Sequence, residues 1–465
     1  MLYRFILLLL LPSSFCLHPL GAETAPNVLL IYVDDLGYGD LGCYGHPIIQ
    51  TPNIDKLAKE GLRLTQHYAP SALCSPSRAA LLTGRTPYRT GVESWIPEDT
   101  GIYLHKQETT IAELLKDQGY TTAIIGKWHL NSDLGNPEEP QPSDHGFDYS
   151  FGNNAFQTPT NRNPDNLFRN RKALGVVEGF TSQIYANESI AWLKERKERE
   201  EPFFLYLAMN EPHTPLENPD SFNEMYSNYS WDEIVPIPSG GPIPYDKLNA
   251  NGPGEYYANI TTMDHHLGRV LKTIDELGYR DNTLVIFSSD NGPVTSDWIH
   301  WWETNAYGST GGYRGRKHGL YEGGIRVPAI IRYPGVVKPD TVSNALSIGM
   351  DLFVTILNQT GARVPDDRTL DGIDLSPIFK GKALNKDRSF FWALSTISGK
   401  DFVFRQGDWK LILDRDHNPI ELYNLKTDKL EFFNRIADEP QVVAQLLAGF
   451  NAKWNSIQDD PLRPN

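Results

Sequence analysis

Val28-Leu29-Leu30-Ile31-Tyr32-Val33-Asp34-Asp35 is an uninterrupted apolar run that ends in two aspartates. A strand with one face in water alternates apolar and polar side chains. An unbroken run of this length is what a strand buried on both faces requires, and such strands belong to parallel sheets covered by helices. Four further runs repeat the pattern, at residues 122–125, 203–209, 284–287 and 327–331. Helical spacing appears between them. In residues 53–62, Ile54, Leu57, Ala58 and Leu62 share a face; residues 109–118 and 186–194 behave alike, and 257–277 is a long amphipathic stretch ending near Gly278. Strands alternating with helices predict an α/β fold, a mainly parallel sheet sandwiched by helices.

After about Ser376 the pattern changes. Short strand-like runs at 389–394, 402–405, 409–413 and 420–425 are joined by turn residues such as Gly407-Asp408 and His417-Asn418-Pro419. Residues 441–457 then place Val443, Leu446, Leu447, Phe450, Trp454 and Ile457 on one helical face. This predicts a smaller C-terminal subdomain, 377–465, of antiparallel sheet plus closing helix, behind a larger domain at 23–376. Pro-rich stretches at 136–142 and 236–244 read as surface loops of the larger domain.

At the other end, Arg4 precedes an apolar run over 5–11, Pro12 breaks it, and Gly21-Ala22 supplies small residues for cleavage. Residues 1–22 therefore read as a secretory signal peptide, cut after Ala22 or near Ala25 and too short to span a bilayer. The expected location is outside the cytoplasm: periplasmic or extracellular, or lysosomal in a eukaryote. No later run is long enough to span a membrane. Of 465 residues, 40% are hydrophobic and 22% charged, which excludes disorder, collagen and coiled coil as global descriptions. The formal net charge of −15 argues against nucleic acid or an anionic membrane as the main partner.

The polar residues that follow the buried strands carry the functional signal. Asp34-Asp35 follows the first, Gly126-Lys127-Trp128-His129 the second, Asn210-Glu211-Pro212-His213 the third, and Asp290-Asn291 the fourth. In open α/β sheets, ligands bind outside the carboxyl ends of the strands. Four strands thus deliver acids, a lysine and two histidines to one rim. Asp34, Asp35, Asp290 and Asn291 offer mainly oxygen, which suits a hard cation, Ca2+ with Mg2+ as the alternative, rather than zinc. Three crowded carboxylates would otherwise repel one another. The histidines come from other strands and are not expected as ligands.

Removal of the leader leaves two cysteines, Cys43 and Cys74, and their spacing alone is as consistent with a disulfide as with two thiols. Cys74 stands in Ser71-Ala72-Leu73-Cys74-Ser75-Pro76-Ser77-Arg78, with Gly84 six residues later. Pro76 suits a first helical turn and Gly84 a helix end. Cys74 is therefore placed just before a helix N-terminus, where amides and dipole favour an anion, and Arg78 returns to it one turn along.

Cys74-x-Pro76-Ser77-Arg78, followed by Ala79-Ala80-Leu81-Leu82-Thr83-Gly84-Arg85, resembles the first signature of the type I sulfatases, in the alkaline-phosphatase-like superfamily. Gly119-Tyr120-x-Thr122-x-x-x-Gly126-Lys127-x-His129 resembles the second. Arg314-Gly315-x-Lys317 with Tyr321-Glu322-Gly323-Gly324-x-Arg326-Val327-Pro328 resembles a third shared block, and the likeness runs from about Asn27 through Leu422-Tyr423-Asn424-Leu425 to the last helix. The resemblance implies an alkaline-phosphatase-like fold and oxidation of Cys74 to Cα-formylglycine by a maturation enzyme, leaving Cys43 unpaired. It implies that Asp34, Asp35, Asp290, Asn291 and the modified Cys74 surround the cation, and that the aldehyde hydrate attacks sulfur with Asp290 accepting a proton. Arg78 and Lys127 would hold the hydrate and the sulfuryl oxygens, with Lys317 near the bridging oxygen. His213 would protonate the departing alcohol, and His129 would deprotonate the second hydroxyl so that sulfate leaves. Asn153-Asn154 stand where some members of the family place a serine.

Residues 294–313 include Trp298, His300, Trp301, Trp302 and Tyr307, which can stack on sugar rings or simply pack a long loop. Glu93, Trp95 and the polar segment 153–171 are candidates for contacts from the other side. The acidic charge would repel a long polyanion, so the expected substrate is a sulfated mono- or oligosaccharide attacked from an end. One alternative is a phosphonate or phosphodiester hydrolase of the same superfamily, which also uses a formylglycine. The other is a calcium-dependent glycan-binding protein without turnover.

Overall fold

In the computed structural model, residues 25–229, 252–294, 307–394 and 399–464 are described. The expected leader, the 236–244 loop and most of the aromatic stretch, including Trp298, His300, Trp301 and Trp302, lie outside them. Ten strands form the main sheet: β1 (Asn27–Val33), β2 (Leu62–Leu64), β3 (Thr121–Gly126), β4 (Tyr149–Gly152), β5 (Phe168–Arg169), β6 (Lys172–Ala173), β7 (Phe203–Met209), β8 (Thr283–Ser289), β9 (Ala329–Arg332) and β10 (Thr341–Ser343). Their order is β10-β2-β9-β8-β1-β7-β3-β4-β5-β6. β8, β1, β7, β3 and β4 run parallel to one another, so five adjacent strands end on one rim.

β1 shows why an unbroken apolar run was needed. Val28, Leu30 and Tyr32 join one buried cluster, while Leu29, Ile31 and Val33 join another on the opposite face. The first face is covered by α2 (Cys74–Thr83), α3 (Ile111–Asp117) and α6 (Gly349–Thr360). The second is covered by α1 (Pro52–Lys59), α4 (Thr181–Lys194) and α5 (Gly252–Glu276). The sandwich follows from the period-2 alternation of side chains across a strand.

Two details differ from expectation. The run at 327–331 yields β9, which is antiparallel to both β8 and β2. Apolar continuity reports burial on both faces and says nothing of direction. The helix expected over 53–62 stops at Lys59, and Leu62 belongs to β2. Gly61 forces the break, because a Cβ there would sit 2.3 Å from the Ile331 carbonyl oxygen of β9.

At the C-terminal end, β11 (Ser389–Ala393), β12 (Phe402–Gln406), β13 (Trp409–Leu413) and β14 (Pro419–Asn424) form an antiparallel meander. Helix α7 (Pro440–Gln458) lays Leu446, Phe450 and Ile457 against Phe404, Leu411 and Leu422 on one face of it. The other face, with Phe390, Trp392, Val403 and Ile412, packs onto Tyr68, Leu73, Ile325 and Ile348 of the larger domain. The small sheet is thus buried on both sides. Among the described residues, no helix is long and apolar enough to cross a membrane.

Candidate active site

The strand register assembles the rim. Val33 pairs with Ser289, so Asp34 and Asp290 leave β1 and β8 side by side, and Gly126 pairs with Ala208 one strand further along. Asp290 N–H donates to the Val33 carbonyl at 3.1 Å, Asp35 N–H to Asp290 Oδ1 at 3.1 Å, and Asn291 Nδ2 to Asp35 Oδ1 at 2.7 Å. All four residues are at most 1% exposed.

Helix α2 points into this cluster. Leu73 is its N-cap and Cys74 its first residue, one position inside the helix rather than just before it, while Gly84 ends the helix at a φ of 69°. Ser77 Oγ donates to the Ser71 carbonyl and accepts from its N–H, both at 3.0 Å, which fixes the entry loop. Arg78 returns one turn later. Its Nη2 lies 2.7 Å from Asp290 Oδ2 and 3.8 Å from Asp34 Oδ1, and Nη1 donates to the Lys127 carbonyl at 3.2 Å.

Each carboxylate has a cation beside it: Asp34 with Lys127 Nζ at 2.6 Å, Asp35 with Lys317 Nζ at 2.6 Å, and Asp290 with Arg78. The mutual repulsion expected for three crowded acids is therefore offset by three equally buried cations. Lys317 Nζ also reaches Cys74 Sγ at 3.3 Å. Burial alone would raise the Asp34 carboxyl, but Lys127, His213, Arg78 and Lys317 hold it well below the usual range. Burial and the neighbouring Asp34 charge push Asp290 up, against Arg78. Burial pushes the Cys74 thiol up to about 12 despite Lys127 and Lys317, so as a plain cysteine it is a neutral thiol and a poor nucleophile.

The two histidines differ in their bonding. His129 Nε2 lies 3.0 Å from the Ile96 carbonyl, which can only accept, so Nε2 carries the proton and the buried Nδ1 keeps an unshared lone pair. Burial, with Lys127 and Arg78 nearby, holds this imidazole well below its usual pKa. His213 donates from Nδ1 to the Thr214 carbonyl at 2.6 Å and turns Nε2 to within 3.7 Å of Asp35 Oδ2. Burial lowers its pKa while Asp34 and Asp35 oppose that shift.

Carboxylate oxygens of Asp34, Asp35 and Asp290 lie within 4.8 Å of one another. Asp34 Oδ1 and Asn291 Oδ1 are buried with no hydrogen-bond partner. Buried oxygens are rarely left unsatisfied, and this all-oxygen set fits a hard divalent cation. An Asp34 oxygen, Cys74 Sγ and a His213 nitrogen also fall within 4.8 Å of one another, so His213 stands nearer the acids than its own strand suggested.

Asp34, Asp35, Cys74, Arg78, Lys127, His213, Asp290, Asn291 and Lys317 therefore meet, and His129 stands in the field of Lys127 and Arg78 while bonding to Ile96. Cys43 and Cys74 form no disulfide; Cys43 is half-buried, beside Asp55. Glu93 pairs with Arg463 at 3.2 Å, a tie to the C-terminal tail. The sequence reading missed Tyr32, whose ring lies 5.6 Å beneath the Arg78 guanidinium, and named the segment 153–171 as a candidate for contacts without singling out Phe156, which stacks on His213. Tyr32 was within reach, because it shares a strand face with Asp34 two residues on. Nothing local marked Phe156.

A parallel α/β sheet whose rim sets an acidic cluster, three cations and two differently bonded histidines around a helix N-terminus is the framework of an enzyme that cleaves anionic esters. Comparison with known proteins narrows that class. The chain belongs to the sulfatase family of hydrolases: the family model described as Sulfatase matches residues 26–362, and one described as N-sulphoglucosamine sulphohydrolase, C-terminal, matches residues 312–459. N-acetylgalactosamine-6-sulfatase of Canis lupus familiaris is 35% identical over 408 residues, 83% of this chain and 72% of its own. Arylsulfatase A of Homo sapiens is 33% identical over 466 residues, 89% of this chain and 84% of its own. Among solved structures, Ps i-CgsB in complex with k-i-k-neocarrahexaose aligns with a TM-score of 0.79 at 27% identity, covering 93% of each chain.

Proposed function

We propose that this chain is an exported carbohydrate sulfatase that hydrolyses the sulfate ester of a mono- or oligosaccharide, with Cys74 converted to Cα-formylglycine by a maturation enzyme. The observation that carries this reading is the placement of Cys74 at the first turn of α2, buried beside Lys317 and within reach of Asp34 and His213. The hydrated aldehyde, once formed at position 74, would supply an attacking hydroxyl and, unlike serine, a geminal oxygen through which sulfate could be released. Asp34, Asp35, Asp290 and Asn291 are the residues to hold Ca2+. When bound, the cation lowers the proton affinity of a neighbouring hydroxyl and screens the sulfuryl oxygens.

The chain's own groups do the rest. Arg78, Lys127 and Lys317 are fixed point charges, already desolvated, that neutralise the sulfuryl group and the bridging oxygen as charge builds there. Asp290, pushed up by burial and Asp34, takes the first proton. His213, with Nδ1 donating to a carbonyl, delivers a proton from Nε2 to the leaving alcohol as the imidazolium, the form that Asp34 and Asp35 favour against burial. His129, kept neutral by burial and carrying a lone pair at Nδ1, removes the last proton before sulfate departs. The similarity to N-acetylgalactosamine-6-sulfatase and the acidic net charge support a small sulfated sugar as substrate.

Mass analysis of the Cys74 peptide together with sulfate release from defined sulfated sugars tests the proposal. The expected result is an aldehyde residue at position 74 and turnover that EGTA abolishes and Ca2+ restores. An unmodified thiol in active protein overturns the mechanism, and a higher kcat/KM on an aryl phosphodiester or phosphonate than on the aryl sulfate overturns the substrate class.

A further inference from the structure

Residues 153–157 fold inside out. Asn153, Asn154 and Gln157 are buried, at 0%, 8% and 1% exposure, whereas Phe156 among them is 37% exposed. Removing amides from water while leaving an aromatic ring in it is unfavourable in both directions, so the arrangement calls for a reason outside folding. The segment is held firmly. Trp128 N–H donates to the Asn153 carbonyl at 3.0 Å, Asn154 Nδ2 to the Asn131 carbonyl at 2.9 Å, and Asn210 Nδ2 to the Ala155 carbonyl at 3.4 Å. Asn166 Nδ2 closes it from the far side by donating to the Phe156 carbonyl at 2.7 Å. Two of these anchors, Trp128 and Asn210, lie in the rim segments that carry Lys127, His129 and His213.

The ring so presented lies parallel to His213, 6° between planes with centroids 6.4 Å apart. That distance is an offset stack, so the two rings form one stepped flat surface rather than covering each other. His213 itself retains 20% side-chain exposure, enough to be reached from outside. Phe156 therefore stands exposed beside the imidazole toward which a leaving group would depart.

We propose that Phe156 is the platform for the sugar that bears the sulfate, the C–H-rich face of the pyranose lying on the ring while its esterified oxygen is directed to His213. This rests on the carbohydrate sulfatase reading and extends it, since it assigns the leaving group to one side of the site. One face of a pyranose is largely apolar, and covering an exposed aromatic with it removes both from water.

The test uses the matured protein, with the aldehyde at position 74 verified. Its probes are the monosaccharide turned over fastest in a panel headed by N-acetylgalactosamine 6-sulfate, and inorganic sulfate as competitive inhibitor. Phe156→Ala is expected to lower kcat/KM for the sugar by about tenfold or more, mainly through KM, while the inhibition constant of sulfate stays within about twofold. Phe156→Tyr and Phe156→Trp restore most of the loss, and Phe156→Leu restores less. The proposal is overturned if Phe156→Ala matches the parent on the sugar, if sulfate inhibition weakens in parallel, or if Leu rescues as well as Tyr. Absence of turnover by the parent on every sulfated sugar removes the underlying reading instead, and this inference with it.

Discussion

Asp290 and Arg78 are both fully buried and face each other at 2.7 Å, from positions 212 residues apart in the chain. A guanidinium in that setting is tolerable only while a carboxylate answers it. Asp290→Ala is expected to destabilise the fold by about 3–5 kcal/mol, through the stranded charge on Arg78 more than through lost contacts. Urea unfolding of the variant reads this, with Asp290→Asn, which keeps an acceptor but not the charge, falling in between. Equal stability of all three proteins would show that Arg78 finds other partners. At this scale the aspartates, Asn291, Lys127 and the two histidines were legible from their positions after apolar runs, Cys74 and Arg78 from a helix start, and Lys317 only through the family resemblance. Their pairing was not: which lysine answers Asp34 and which answers Asp35 depends on side-chain reach across the rim. The protonation states of His129 and His213 likewise follow from two carbonyls, of Ile96 and Thr214, that no spacing rule points to.

β3 shows how an element aims a residue. Gly126 ends the strand at a φ of 116°, and a Cβ there would lie 1.8 Å from the Ala208 carbonyl oxygen of β7. That close approach lets Lys127 N–H donate to the same carbonyl at 2.8 Å and sends its side chain to Asp34. Gly126→Ala must push β3 away from β7 or abandon the left-handed turn, which is expected to destabilise by roughly 2–4 kcal/mol and to misplace Lys127. Tm and turnover are both expected to fall; a variant with full activity would mean that the lysine is positioned otherwise. The helix expected over 109–118 runs from Ile111 to Asp117, its start fixed by Thr110, whose side chain and that of Glu113 make a capping box for α3. Element boundaries were misread where a distant backbone intervened, as at Gly61.

Over the whole molecule, the C-terminal sheet reaches into the larger domain with charged residues, Lys410 the most deeply paired and Arg405 beside Tyr68 and Gln66. Lys410 Nζ lies 3.1 Å from Glu322 and 2.8 Å from Glu431, all three fully buried, and Glu431 accepts from the Glu322 N–H at 2.7 Å. Arg314 ties the same segment down by donating to the Glu431 carbonyl at 2.6 Å, three residues before Lys317. Lys410→Met removes the cation that pairs with buried Glu431, while Glu322 keeps Arg326 at 3.3 Å, and is expected to destabilise by about 3–5 kcal/mol. Faster proteolysis or amide exchange across residues 312–326 is the accompanying readout, and unchanged protection there would show that the small sheet does not brace the lysine segment. By itself, the amino-acid order determined where the long buried strands, the C-terminal meander and the main helices fall, that the main sheet is buried on both faces, and which side chains stand at the ends of those strands, because hydrophobic period and turn residues are local properties of the chain; the short strands β2, β4, β5, β6 and β10 appear only through their pairing. Tertiary structure alone decided the antiparallel course of β9, the three acid–cation pairings and the placing of Phe156 on His213, because each depends on backbones brought together by folding across long separations, and a one-dimensional pattern holds no record of such meetings.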